Sequence, residues 1–194
     1  MTKFRNKPPK RREDVSQVTK YQKYRLPLKE DFNRRCGYCD EPDHKRDSHF
    51  HIDHFVPQAL MEKITPTDYS NLVYACSYCN IAKSCKWPTK DEYVHNYGNE
   101  GFVDPCSSAY TEHIGRKENG CIYPKSDLGK YMFSNLKLYL NRHSFIWLTE
   151  QIELKIISLS NILETLDEHD PVAHKIATIT TQYIKIKNTF EKLQ

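Results

Sequence analysis

Cys36-Gly37-Tyr38-Cys39 and Cys76-Ser77-Tyr78-Cys79-Asn80-Ile81-Ala82-Lys83 enclose the stretch His51-Ile52-Asp53-His54-Phe55-Val56-Pro57. A CxxC pair offers two sulfurs from one tight turn, and two such pairs complete the tetrahedron that structural zinc prefers. Metal bound there supplies folding energy that a short, loop-rich segment cannot draw from an apolar core. Cys36, Cys39, Cys76 and Cys79 are therefore read as zinc ligands, and Cys85, Cys106 and Cys121 as free thiols outside any pairing pattern.

The residues between the pairs are of another kind. Hydrolysis of a phosphodiester needs a base that works near neutrality and a divalent cation to carry charge on the phosphate. Histidine is the common side chain for the first task, and His54 offers one. Asp53 is a hard oxygen donor for the second, and Asn80 adds an oxygen without adding charge. Neighbours on an ideal strand point to opposite faces, so Asp53 and His54 serve one site only if the strand twists or ends there, as Pro57 implies.

Around this centre the chain is of ordinary single-domain size, at 194 residues. Mean hydropathy is −0.76, and no apolar run approaches the ~20 residues of a membrane span. The basic N-terminus lacks the apolar segment of a secretory signal, so a cytoplasmic location is expected, where thiols stay reduced and CxxC pairs favour metal over disulfide. The net charge is only +4, yet residues 1–35 carry twelve Lys/Arg against four Asp/Glu. Such an arm would attract phosphate backbones, with Arg11 and Arg12 as candidate contacts, or else be a solvated tail.

Along the chain we expect a basic flexible arm over 1–14, a helical segment over 15–35, the clamped module over 36–89, an irregular connection over 90–127 and a helical hairpin over 128–194. The apolar-free run Asp40–Asp47 reads as a solvated loop, His49 to Val56 as a strand, and Ser77 to Ala82 as a helix start. Leu128, Met132, Leu136, Tyr139, His143 and Trp147 keep helical spacing, continued by Ile152, Ile156, Leu159, Leu163 and Leu166. Asp170 and Pro171 then read as the cap and first residue of a last helix. In it Val172, Ile176, Ile179, Tyr183, Ile186, Phe190 and Leu193 form a heptad seam, expected to pack against the preceding helix, with an intermolecular contact as the alternative.

Taken together, Cys36-x-x-Cys39, Asp53-His54-x-x-Pro57, Asn71-Leu72-Val73 and Cys76-x-x-Cys79-Asn80-x-x-Lys83 resemble the HNH endonuclease family, in its zinc-bearing form. The resemblance implies an α+β protein: a ββα-metal module with a four-cysteine zinc site, flanked by an N-terminal helical segment and a C-terminal helical hairpin. It implies hydrolysis of DNA, with His54 as general base, Asp53 and Asn80 as ligands of magnesium or manganese, and Asn71 in the loop that orients the base. Lys83 either touches phosphate or caps its helix. A small chain of this kind with its own hairpin also resembles effectors of Septu-type anti-phage systems, which implies an ATPase partner at the C-terminal helices. A homo-oligomer is left open. The competing reading is a zinc-dependent nucleic-acid or protein interaction module without activity.

Overall fold

The computed structural model describes residues 3–44, 47–167 and 169–192. Lys45 and Arg46 of the loop after Cys39, and Leu193 of the heptad seam, lie outside them. The chain divides into two compact units, Met1–Leu140 and Asn141–Gln194.

In the first unit a 3₁₀ turn, Tyr21–Tyr24, leads directly into helix α1, Arg25–Asp31. Leu28 and Phe32 of this segment are fully buried. The helix stops without glycine: Asn33 takes φ 54°, and Arg34 N–H donates to Lys29 O at 2.7 Å, closing the 6→1 bond of a Schellman end. Strand β1, Phe50–His54, pairs antiparallel with β2, Leu72–Cys76, in the register Phe50↔Cys76 to His54↔Leu72. Helix α2, Ser77–Lys83, follows β2 without a break. Every residue of β2 is buried. Gly37 is required by packing, since a Cβ there would sit 2.7 Å from the Phe32 ring and 2.8 Å from Val73.

Three expectations fail. Residues 3–12 are a packed strap: Phe4 is buried, Arg5 donates to Pro105 O and Gly37 O at 3.1 and 2.8 Å, and Arg11 bonds Leu72 O and Asp104. Arg12 bonds Glu30 and Asp31. Arginine's fork finds carbonyls and carboxylates inside its own fold, so the arginines of the charge run are consumed locally. Nor is the start of the run Asp40–Asp47 a solvated loop. Asp43 is wholly buried and accepts from Tyr74 OH at 2.8 Å beside Lys29 and Arg34. A buried carboxylate needs such partners, and all three are distant in sequence.

The segment 90–127, expected to be irregular, adds β3 (Asn96–Tyr97) with β4 (Glu100–Gly101), helix α3 (Tyr110–His113), and β5 (Ile114–Arg116) with β6 (Ile122–Pro124). Phe102, Tyr110 and Ile114 carry it into the core. The elements are two to four residues long, too short for any periodicity to register.

The hairpin begins later than expected. Helix α4, Asp127–Asn135, belongs to the first unit and is capped by Ser126, whose Oγ accepts from Gly129 N at 2.9 Å. It ends where Lys137 takes φ 53° and Leu138 N–H donates to Phe133 O at 2.9 Å, a second Schellman end without glycine. The second unit is α5, Asn141–Leu163, and α6, Pro171–Glu191, with Asp170 capping α6 through Val172 N at 2.8 Å. Within it Lys187 pairs with Glu153 at 3.2 Å, and the rings of Phe145 and Phe190 lie 5.8 Å apart. Among the described seam residues Ile176, Tyr183 and Phe190 are half-buried, whereas Val172, Ile179 and Ile186 are exposed.

Candidate active site

The two CxxC turns converge. Cys36, Cys39, Cys76 and Cys79 are buried, with their sulfurs all within 4.8 Å of one another. Cys39 Sγ and Cys76 Sγ are 3.7 Å apart. A tetrahedron with metal–sulfur bonds of ~2.3 Å has an edge of about 3.8 Å, whereas a disulfide would need ~2.05 Å. Against the cost of burial, the thiols of Cys39, Cys76 and Cys79 hold the Cys36 sulfur well below its ordinary titration range. The donor set, its closure and its spacing fit zinc.

Each turn also delivers a side chain to Asp53. Tyr38, inside the first CxxC, donates its hydroxyl to Asp53 Oδ2 at 2.5 Å. Lys83, four residues beyond Cys79 on α2, lies 3.1 Å from the same oxygen and donates to His54 O at 2.9 Å. Both bonds land on Oδ2, and Oδ1 accepts none among the described residues. Burial raises the Asp53 carboxyl from its ordinary range, with Lys83 and Tyr38 pulling it back. Burial, then the neighbouring Asp53 charge, pushes the Tyr38 phenol well above its own range, so it remains a donor.

His54 is the last residue of β1. Its Nε2 lies 2.9 Å from Pro66 O, and a carbonyl only accepts, so Nε2 carries the proton and Nδ1 keeps the lone pair. Gln58 Nε2 approaches Nδ1 at 3.2 Å, and the Tyr21 ring stands edge-on at 4.6 Å. The loop bearing Pro66 is anchored from afar: the Glu92 carboxylate accepts from the backbone N–H of Glu62, Lys63 and Ile64 at 2.9 to 3.2 Å. Asp53, His54 and Asn80 line one open cavity of about 380 Å³ with Tyr21, Gln58, Ser84 and Cys85. The strand ends at His54, which is how two adjacent residues reach one cavity.

Asn71 does not line it. Its amide is spent on one residue, Oδ1 accepting from Val56 N at 2.8 Å and Nδ2 donating to Val56 O at 3.2 Å. It sets the backbone that follows His54. Lys83, one of the candidate phosphate contacts, is wholly buried and points at Asp53 and the backbone of His54. Arg11 is bonded to Leu72 O of β2 and to Asp104, and Arg12 to Glu30 and Asp31 of α1. Tyr38, Gln58, Pro66 and Glu92 were missed by sequence reasoning. A tyrosine inside the first CxxC was the one available signal.

Residues 36–86 match the family model for HNH endonuclease. The match spans both CxxC turns, the ββ hairpin and α2, and leaves the strap, the segment from residue 87 onward and the helical hairpin outside it. Comparison with curated proteins and with solved structures finds no match. The HNH-like module of residues 36–86 thus belongs to a mixed helix-and-sheet protein carrying a four-cysteine cluster and a C-terminal helical pair. Among the described residues no helix is long and apolar enough to cross a membrane.

Proposed function

We propose that the HNH module hydrolyses phosphodiester bonds of DNA, with His54 as general base and Asp53 and Asn80 as ligands of a magnesium or manganese ion. The observation that carries this reading is the cavity that Asp53, His54 and Asn80 share, with the Asp53 carboxylate held through one oxygen only. Two protein oxygens on an open cavity suit magnesium, which keeps several waters and takes phosphate as a further ligand. Such an ion supplies charge neutralisation at the scissile phosphate and the leaving oxygen. His54 accepts the proton of the attacking water at Nδ1, its ring steadied by the Nε2–H bond to Pro66 O. For this Gln58 must turn aside from Nδ1. Lys83 and Tyr38 keep Asp53 oriented and exclude water from its inner oxygen, while Asn71 holds the strand end.

The defence role and the ATPase partner implied by the likeness to Septu-type effectors belong to this reading. The exposed apolar residues of α5–α6 are where such a partner would dock. A reducing cytoplasm, which keeps the four thiols available to metal, completes it. Plasmid nicking with magnesium, and its loss with EDTA, tests the activity. Zinc-loaded protein that binds DNA yet never cuts it would favour the inactive interaction module. Asp53→Ala is expected to keep one zinc per chain and lose cleavage.

A further inference from the structure

The twelve cationic residues of 1–35 are not equivalent. Arg5, Arg11 and Arg12 are bonded within the fold, Arg25 donates to Phe50 O, and Lys29 and Arg34 pair with Asp43 while Arg35 pairs with Asp40. Lys3, Lys7, Lys10, Lys20 and Lys23 are exposed, and none of their ammonium groups has a partner among the described residues. Of these five, only Lys20 and Lys23 flank a residue of the candidate site. Tyr21 stands between them, lines the cavity with Asp53, His54 and Asn80, and meets the His54 ring at 4.6 Å. The bond from Lys23 N to Lys20 O, 3.1 Å, closes a tight turn that brings both lysines to the stretch bearing Tyr21.

We propose that the turn Lys20–Lys23 is the backbone-binding element for DNA, its two ammonium groups gripping phosphates of the strand whose neighbouring phosphate enters the cavity. This rests on the nuclease reading. The one charged residue lining the cavity, Asp53, is paired with Lys83, so the cavity itself offers a polyanion no net attraction and cations beside it must supply it. Arg11, Arg12 and Lys83, the basic residues first expected to do this, are committed elsewhere. Lysine on an exposed turn acts as a point charge without base readout, so the contact adds affinity for any sequence and registers in the salt dependence.

The test is duplex binding by the full zinc-loaded chain, followed by fluorescence anisotropy across a salt series without added magnesium. Each phosphate contact contributes roughly 0.9 to the slope of log affinity against log salt. Lys20→Ala/Lys23→Ala is expected to flatten the slope by about 1.5 to 2 with an unchanged melting temperature. Lys7→Ala/Lys10→Ala, equally exposed but on the strap, is expected to leave the slope as in the wild type. An unchanged slope in the first pair, with wild-type protein still binding DNA, overturns the assignment and leaves the nuclease reading standing. Wild-type protein that binds neither the duplex nor its single strand overturns the nuclease reading itself.

Discussion

In the HNH module Tyr38, Leu72, Val73 and Tyr74 are each 0% exposed, whereas Val172, Ile179 and Ile186 of the hairpin keep 50, 43 and 47% of their surface exposed. Both regions carry large apolar residues at the spacing their elements demand. The module has two thiol turns and a strap to close it from several directions, so short strands suffice. The hairpin has two helices alone, and a helix in a pair can hide only one stripe. Precision is obtained where the chain is cross-tied, and surface is left over where it is not.

The largest effect should come from cutting a tie. Cys76→Ser is expected to release zinc and unfold the module, because the binding energy of a structural zinc, ~10 kcal/mol or more, is folding energy. Elemental analysis and thermal melting check it, and wild-type protein purified without zinc would break the comparison at its root. Next comes the chemistry that the ties position. His54→Ala should lower cleavage by ~10²–10⁴ with fold and zinc content intact. Cleavage within threefold of wild type in a nicking assay removes His54 from the mechanism.

Tyr38→Phe is a finer probe, because it keeps the buried ring and deletes only the hydroxyl that meets Asp53. Loss of a hydrogen bond behind a metal ligand typically costs 10–100-fold in metal affinity, so manganese titration should show binding weaker by about that factor with zinc retained. Equal affinity would mean that Lys83 alone sets the carboxylate. The smallest effect belongs to the hairpin. Ile179→Asp, on the exposed side of α6, should shift stability by less than about 1 kcal/mol. Ile176→Asp, at a half-buried position of α6, should cost several times more. Equal losses in thermal melts would show that the seam packs as a whole, as its spacing alone predicts.

What the sequence disclosed follows from how local each signal was. Cys36, Cys39, Cys76 and Cys79 announce themselves by spacing, and Asp53, His54 and Asn80 by lying within or beside that frame. The α6 helix is legible from Asp170, Pro171 and the heptad steps. The role of Tyr38 was hidden because its partner is fifteen residues away and no period links them. Glu92 was hidden for the same reason, as its three N–H donors lie 28 to 30 positions upstream. The end of α4 was missed because Lys137 performs a turn that glycine usually marks. Arg11, Arg12 and Lys83 were misread because a positive charge in a sequence does not show whether it faces solvent or a carboxylate of its own fold.

The strap has a further consequence, in time rather than in space. Arg5 bonds the carbonyl of Pro105, 100 positions downstream, and Arg116 reaches back 112 positions to the carbonyl of Phe4. On a ribosome Phe4 and Arg5 emerge long before either partner exists. Arg5 can meet Gly37 O early, but its bond to Pro105 and the bond from Arg116 to Phe4 must wait until those distant segments have been made. Contacts that span so much chain pay their loop-closure entropy late and slow the final step of folding. The strap, the first of these segments to be synthesised, is therefore the one whose set of bonds is completed last.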